Sequence, residues 1–254
     1  MRVTDEELGH EETPDAYVER LAACFGEGKY LTADGSLWVV IGDSFARKNY
    51  ASATKSEAIG VNMLFVAEMR TRGWALWQEN IWVKTSVTPS GAAQVRCNPS
   101  KEHILWFVRK RVKPQFFPRE IREPGTTPAG KRMPPVGGKK YGEYTKELKS
   151  DGMRCCRDVW MFCPARSTLT HVAPFPEGIP NRIIKACTKP GDLVCDPFAG
   201  TRTTERSARA LGRRSVCFDI YDHLAREEQI PGKREREEPP PSDPEKRPRG
   251  ADDV

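Results

Sequence analysis

The 254-residue sequence lacks the features of a membrane or secreted protein. No apolar run approaches the roughly eighteen residues that a membrane-spanning helix needs, and residues 1–12 are polar and acidic rather than signal-like. The eight cysteines form no Cys-x-x-Cys pair, and several lie in apolar runs, as buried reduced thiols do. We therefore expect an intracellular protein, in the cytoplasm or nucleoid, or in the nucleus of a eukaryote.

A metal site and a repeat architecture are not expected either. Cys155, Cys156 and Cys163 could be drawn with His171 as zinc ligands, but their spacing fits no common zinc knuckle. No segment of the sequence repeats another. With 38% hydrophobic and 30% charged residues, the composition is that of one ordinary α/β domain or two small ones.

The positive charge is concentrated in one segment. Residues 109–149 contain twelve Lys or Arg and four Glu, a net charge of +8 in a chain whose total is +6. A basic segment on a nearly neutral body suggests a polyanion partner such as nucleic acid, although a solvated surface loop has the same composition. The last stretch, 226–254, is charged and rich in proline, and its few aliphatic residues predict a disordered tail.

Hydrophobic periodicity predicts alternating helices and strands. The first helix has Thr13 as its expected N-cap and Pro14 at the first helical position. A strand, a tight turn, a helix and a second strand follow one another within 193–219, which is a βαβ unit and predicts an α/β fold with a mostly parallel sheet. The predicted helices are 14–25, 59–72, 179–187 and 204–211, and the predicted strands are 36–42, 74–84, 103–108, 193–196 and 215–219.

The residues of this βαβ unit are suited to bind a nucleoside. A buried strand delivers Asp196 to its carboxyl end, Gly200 lets the backbone approach a ligand closely, and the next helix offers unpaired N–H groups. The following strand ends in Asp219, whose carboxylate can accept hydrogen bonds from ribose hydroxyls. The glycine pattern is not Gly-x-Gly-x-x-Gly, so the pyrophosphate of NAD has no dedicated cradle. A turn that binds no ligand is the alternative.

The same residues resemble a known family. The segment Asp196-Pro-Phe-Ala-Gly200, followed by Thr203-Thr204 and a Gly-Arg-Arg at 212–214, resembles the cofactor motif Asp-Pro-Phe-x-Gly-Ser-Gly-Thr-Thr of the DNA amino-methyltransferases. Residues 171–176 resemble the segment that precedes this motif in the circularly permuted subgroup, and 34–44 resemble its central strand. Shorter matches keep the same order, at 72–74, 81–84 and 102–103.

This resemblance implies a Rossmann-like, S-adenosyl-L-methionine-dependent methyltransferase fold with helices on both faces of the sheet. It implies methyl transfer to N4 of cytosine or N6 of adenine in double-stranded DNA, as in restriction–modification. The domain would consist of two halves, 1–108 and 151–225, separated by a basic target-recognition insert, 109–150. The implied cofactor residues are Asp196, Phe198, Gly200, Thr203 and Thr204 around methionine and adenosine, Asp219 on the ribose, and Phe175 and Pro176 closing the pocket. Lys131, Arg132, Lys139 and Lys140 would contact DNA phosphates.

Three departures from the family pattern bear on activity. The family holds the flipped base with a tetrapeptide, [Asp/Asn/Ser]-Pro-Pro-[Tyr/Phe/Trp], which occurs nowhere in the sequence, and we expect Met1 to lie just after its usual place. No catalytic residue is therefore assigned. Arg202 stands at a usual glycine, at a cost of about 1–2 kcal/mol if φ is positive there, and Cys217 stands at another. Two alternatives stay open: an inactive or truncated DNA-binding relative, and a nucleotide-dependent oxidoreductase.

Overall fold

Within the residues that the structure describes, the strands form one four-stranded sheet and two further strand pairs. A computed structural model of the chain describes residues 8–46, 57–87, 96–126, 128–131, 151–165 and 176–220. The helices in these ranges are α1 (Pro14–Phe25), α2 (Val61–Thr71), α3 (Gly178–Cys187) and α4 (Thr203–Ala210), with a short 3-10 helix at Pro118–Ile121. The strands are β1 (Leu37–Ile41), β2 (Trp74–Lys84), β3 (Lys101–Arg109), β4 (Glu123–Pro124), β5 (Met153–Arg154), β6 (Val159–Phe162), β7 (Leu193–Asp196) and β8 (Arg214–Cys217).

The four-stranded sheet is mixed, with the order β1-β3-β2-β6. β1 and β2 both pair antiparallel with β3, and β2 pairs parallel with β6. The α/β prediction is confirmed, but the prediction of a mostly parallel sheet is wrong. Parallel neighbours need a crossover that is usually helical. The described residues between β2 and β3 contain no helix, so the chain folds back and pairs these consecutive strands antiparallel.

Helices cover both faces of this sheet, as expected. Leu105 and Phe107 of β3 point to one face and pack with Phe65 of α2, in a core that α1 completes. Ile104 points to the opposite face, where Ile179 of α3 packs. Because both faces are covered, β3 is buried through six consecutive residues, which explains its continuous apolar sequence.

The first helix begins and ends where the sequence predicts. Thr13 is the N-cap and its Oγ1 accepts a hydrogen bond from the N–H of Ala16, at 3.1 Å. The helix ends at Gly26, which adopts a φ of +48°. The indole Nε1 of Trp74 then donates to the carbonyl of Gly26, at 2.9 Å. This bond joins the end of α1 to the start of β2 and fixes the helix against the sheet.

The third helix starts very close to the sheet. A Cβ placed on Gly178 would lie 2.4 Å from Cε1 of Phe162 in β6, so a larger residue at this position would force α3 away. At the other end of the helix, the carbonyl of Ala186 accepts a hydrogen bond from the N–H of Phe117, at 2.7 Å. Close backbone approach at one end and a loop contact at the other hold α3 along the second face of the sheet.

The βαβ unit predicted from 193–219 is present. β7 and β8 form a parallel pair in which Asp196 lies opposite Cys217, and α4 connects the two strands. One face of this pair is exposed, including Leu193, Val216 and Phe218. Among the described residues, β7 pairs only with β8 and β1 pairs only with β3, so each leaves one strand edge without a described neighbour.

Some elements were not predicted from the sequence. β6 and the short antiparallel pair β4–β5 lie in stretches without clear periodicity. Phe175, the insert from Arg132 onward and the tail 226–254 lie outside the described residues. The division into 1–108, 109–150, 151–225 and 226–254 stays a prediction. No helix in the described ranges is long and apolar enough to cross a membrane.

The cysteine side chains are less buried than the sequence predicts. All eight lie in the described ranges, none forms a disulfide, and each is exposed or only partly buried. The packed interior is instead made of aromatic and branched aliphatic side chains. The described residues contain no group of His, Cys, Asp and Glu placed to hold a metal ion, and His171 lies outside them.

Candidate cofactor site

The turn between β7 and α4 is fixed by hydrogen bonds to the end of β8. The N–H of Phe218 donates to the carbonyl of Asp196, at 2.8 Å, and the N–H of Ala199 donates to the carbonyl of Phe218, at 2.9 Å. The Oδ1 atom of Asp196 accepts from the N–H of Phe198, also at 2.9 Å. These bonds hold Asp196 at the carboxyl end of the strand pair, which is where open α/β sheets bind ligands.

Asp219 contacts the same turn from the neighbouring strand end. Its Oδ2 atom accepts a hydrogen bond from the N–H of Gly200, at 2.7 Å. The prediction that Asp196 and Asp219 stand at neighbouring strand ends is therefore confirmed. Gly200 has a φ of +48°, in the left-handed region that a glycine adopts without strain. A carboxylate has several lone pairs, so Asp219 can hold this N–H and still accept a ligand hydroxyl.

Arg202 adopts the left-handed conformation that the family's glycine would favour. Its φ is +58° and it is the N-cap of α4. The expected strain of about 1–2 kcal/mol therefore applies. Its guanidinium lies 3.2 Å from a carboxylate oxygen of Glu205, on the first turn of the same helix. An arginine can replace the glycine here because its side chain turns onto α4.

Arg206, which the sequence did not indicate, braces the turn from α4. Its guanidinium donates to the carbonyl of Thr201 and to Oγ1 of Thr203, the second at 3.3 Å. Its Nε also lies 3.4 Å from a carboxylate oxygen of Glu177, at the start of α3. An arginine three residues into a helix after a glycine turn gives little sequence signal, because most such residues are solvated. Here it connects the turn to α3.

The predicted threonines have different surroundings. Thr203 is buried, and its hydroxyl lies 3.2 Å from the hydroxyl of Thr201, so it packs the turn from inside. Thr204 is partly buried at the start of α4. The first N–H groups of an α-helix have no partner within the helix, so both residues lie at a place that favours anionic or polar ligand atoms.

The aromatic side of the site includes a residue that the sequence did not indicate. Phe198 is half exposed and contacts Phe25 of α1 edge-to-face, with ring centroids 6.0 Å apart. Pro176 precedes Glu177, and its carbonyl accepts a hydrogen bond from the N–H of Ile179 at the start of α3, at 3.1 Å. Phe175, the other residue expected to close the pocket, lies outside the described residues. The described part of the site thus has two carboxylates, an aromatic ring and a helix start.

The thiols next to Asp196 are held in the protonated form. Burial and the nearby carboxylates of Asp196 and Glu205 raise the pKa of Cys217 to about 11. Burial, with a smaller contribution from Asp196, also raises the pKa of Cys195. Neither sulfur is a thiolate near neutral pH, so neither is suited to act as a nucleophile. Cys217, which stands where the family usually has a glycine, is therefore neutral and does not change the net charge of the site.

The residues predicted to contact DNA are largely outside the described ranges. Lys131 is exposed, and its N–H donates to the carbonyl of Pro128, at 3.3 Å. Arg132, Lys139 and Lys140 are not described. Their assignment to DNA therefore stays a prediction.

The sequence is similar to known DNA methylases. A family model described as DNA methylase, of the N6/N4 methyltransferase type, matches residues 2–229. The Type II methyltransferase M.Cfr9I of Citrobacter freundii is 28% identical over 239 residues, covering 85% of this chain and 71% of that protein. The Type II methyltransferase M.SmaI of Serratia marcescens is 26% identical over 242 residues, covering 86% of this chain and 75% of that protein.

Solved structures share the fold. The PvuII DNA methyltransferase, described as cytosine-N4-specific, superimposes with a TM-score of 0.63 at 18% identity, covering 86% of this chain and 71% of that one. A DNA modification methylase of Thermus thermophilus, solved with S-adenosyl-L-methionine, gives 0.54 at 23% identity, covering 88% and 79%. The Rossmann-like fold implied by the sequence is confirmed, and the chain belongs to the DNA methylase family that uses S-adenosyl-L-methionine to methylate N4 of cytosine or N6 of adenine.

Proposed function

We propose that the turn from Asp196 to Thr203, together with Asp219, binds S-adenosyl-L-methionine. The observation that supports this proposal is the hydrogen bond from Gly200 to Asp219, which joins the proposed ribose acceptor to the glycine turn. The nucleoside has two ribose hydroxyls to donate, and a carboxylate at a strand end can accept both. The bound cofactor supplies an electrophilic methyl group on a sulfonium.

The other residues of the site have distinct proposed roles. Asp196 would accept hydrogen bonds from the methionine end of the cofactor, near the start of α4. Phe198 would pack its half-exposed ring on the adenine, and Phe175 and Pro176 would close the pocket. Arg206 keeps the turn in shape through Thr201. A half-exposed aromatic ring and two carboxylates in one turn fit an aromatic base that is joined to a ribose and a cation.

The acceptor is proposed to be an exocyclic amine of a base in double-stranded DNA. Transfer would be a direct displacement, because the cysteines beside the site stay protonated and the sequence has no Pro-Cys pair of the kind used for carbon-5 methylation. The enzyme would act as the modification partner in restriction–modification, in the compartment that holds the chromosome. Lys131, Arg132, Lys139 and Lys140 are proposed to contact the DNA backbone.

The base-binding tetrapeptide bears directly on catalysis by these 254 residues. No [Asp/Asn/Ser]-Pro-Pro-[Tyr/Phe/Trp] occurs among them. We propose that a divergent segment or residues outside this sequence hold the flipped base. Methyl transfer from labelled cofactor to duplex DNA by this chain would show that a divergent segment suffices. Binding of cofactor and DNA without transfer would show that the base-binding residues must come from elsewhere.

The cofactor proposal is tested by calorimetric titration with S-adenosyl-L-methionine. Asp219→Ala should raise Kd by about tenfold or more, because it removes the ribose acceptor and the anchor of Gly200. Asp158→Ala removes an exposed carboxylate next to β6 and is the matched control, for which Kd should not change. An unchanged Kd in Asp219→Ala would contradict the pocket assignment. Binding of NAD in place of S-adenosyl-L-methionine would favour the oxidoreductase alternative.

A further inference from the structure

Three arginines converge on one glutamate at a distance from the cofactor turn. Nη2 of Arg154 and Nε of Arg157 lie 3.5 and 3.4 Å from Oε2 of Glu123, and Nη1 of Arg182 lies 3.1 Å from Oε1. We call these four residues the arginine cluster. One carboxylate compensates one positive charge, so the cluster carries an excess charge of +2.

This excess distinguishes the cluster from ion pairs elsewhere in the described residues. Arg72 pairs with Glu68 and Arg206 pairs with Glu177, one guanidinium to one carboxylate, while Glu205 pairs with two arginines. Each guanidinium has five N–H donors, and three guanidiniums have far more donors than one carboxylate can accept. An arrangement of this kind is suited to an additional anion with several oxygens.

The arginines of the cluster are accessible and partly fixed in place. The side chains of Arg154 and Arg157 are 38% and 58% exposed, while that of Arg182 is more buried. The guanidinium of Arg182 lies over the ring of Trp160, with its carbon 5.1 Å from the ring centroid. Because Arg182 is already packed and all three side chains are drawn to Glu123, an anion can bind here with a small entropy cost.

The cluster lies at the base of the basic insert. β4 lies within the insert 109–150 and pairs antiparallel with β5, with Glu123 opposite Arg154, so the part of the insert after β4 begins and ends at this point. The N–H of Gly125 also donates to the carbonyl of Gly152, at 2.7 Å. Residues 131–149 between these ends contain six Lys or Arg and two Glu. Residues 131–149 thus add a net charge of +4 to the excess charge of the cluster.

Helix α3 relates the cluster to the cofactor turn. Arg182 is on this helix, and Glu177, at its start, pairs with the arginine that braces Thr201. Five residues of helix separate these two positions, or roughly 7.5 Å along the axis. The cluster and the cofactor turn are therefore connected through one helix.

From the excess charge, its exposure, its place at the β4–β5 pair and its connection to the cofactor turn through α3, we infer that the arginine cluster binds the phosphodiester backbone of the double-stranded DNA substrate. Phosphate contacts of this kind position a duplex without reading its sequence. The inference rests on the proposed function in taking DNA as the substrate. The inferred DNA-contacting surface is formed by β5, the segment before β6, and α3. It is separate from the four insert residues that the sequence predicts to contact DNA.

The test is the salt dependence of duplex binding. Arg154→Gln with Arg157→Gln removes two charges and keeps polar side chains of similar length. We expect weaker binding on every duplex sequence, and a log–log slope of affinity against salt concentration that falls by about two. Fluorescence anisotropy with a labelled duplex gives both quantities, and calorimetry should show unchanged affinity for S-adenosyl-L-methionine.

Two control variants separate charge from structure. Arg20→Gln with Arg70→Gln removes the same charge from α1 and α2, on the opposite face of the sheet, and should leave the slope unchanged. Arg154→Lys with Arg157→Lys keeps the charge and should retain the wild-type slope. An unchanged slope in the glutamine variant, or an equal loss in the lysine variant, would overturn the inference. If the wild-type protein binds S-adenosyl-L-methionine but no DNA, both this inference and the proposal of DNA as substrate are wrong. If it binds DNA but no S-adenosyl-L-methionine, only the proposed cofactor site is wrong.

Discussion

The four-stranded sheet and the β7–β8 pair show how differently one chain can bury its strands. β3 is buried through six residues, between α1 and α2 on one face and α3 on the other. β7 and β8 alternate between partly buried and exposed residues, because α4 covers one face and Phe218 on the other is 59% exposed. The candidate cofactor residues are on the less covered pair.

This difference in burial suggests that one region of the chain provides stability and another binds the cofactor. Regions with few buried apolar contacts open at a lower free energy than the packed core. A cofactor site needs exposed hydrogen-bonding groups. The turn at Gly200 provides such groups at the end of the two-stranded β7–β8 pair. We therefore expect the four-stranded sheet to set global stability and the cofactor to stabilise the β7–β8 pair.

The largest expected effect is on the packed side. Phe107→Ala removes a fully buried ring that contacts Phe65 edge-to-face, and it should lower the free energy of unfolding by about 3–5 kcal/mol. Val216→Ala shortens an exposed side chain of β8 and should cost less than about 1 kcal/mol. Urea titration followed by circular dichroism measures both. Equal losses would show that the two regions share one core.

Amide hydrogen exchange gives the second comparison. Amides in the centre of β3 should exchange only on global unfolding, whereas those of β8 should open at a free energy lower by about 2 kcal/mol or more. Adding S-adenosyl-L-methionine should slow exchange in β7, β8 and the turn at Gly200, with little change in the β1–β3 ladder. Similar protection in both regions without the cofactor would contradict the comparison.

The sequence predicts the packed side best where local chemistry decides the structure. Thr13 and Pro14 indicate the exact start of α1, and the bounds of β2 agree with the predicted 74–84. The pairing direction of the strands could not be predicted in this way, because β2 and β3 would have the same apolar pattern in a parallel or an antiparallel sheet. The short strand β6 was missed because its pairing and burial depend on Trp82 of β2 and Ile104 of β3, which lie far earlier in the sequence.

At the cofactor site, the sequence predicts the residues whose backbone role is specific. Asp196, Gly200 and Asp219 are indicated by the strand ends and by the glycine turn, and the structure brings them together. Arg206 and Phe25 were missed because they act through side-chain contacts between separate elements. Long-range contacts of this kind have no periodic signal in a single sequence.

Backbone strain offers a third comparison. Arg202, in the cofactor turn, and Arg111, after β3, both have positive φ. At each position glycine should be more stable than alanine by about 1 kcal/mol, because only alanine retains the left-handed strain. Chemical denaturation of Arg202→Gly, Arg202→Ala and the two Arg111 variants measures this. Only the Arg202 variants should also change the affinity for S-adenosyl-L-methionine, and an effect of Arg111→Gly on that affinity would show that the two turns are coupled.

The last comparison is a loss of stability that appears only at high pH. Burial raises the pKa of Cys187, at the end of α3, to about 12, above the value of about 9 expected for a thiol in the unfolded chain. As pH rises above 9, the unfolded state loses this proton first, so stability present below pH 9 declines toward pH 12. Cys187→Ala should therefore make the fall in urea midpoint between pH 8 and about pH 10.5 shallower. Cys97→Ala removes an exposed thiol and should leave the fall as it is. An identical pH dependence in wild type and Cys187→Ala would show that the end of α3 opens before the thiol titrates, which would place this helix with the weaker region rather than with the sheet it covers.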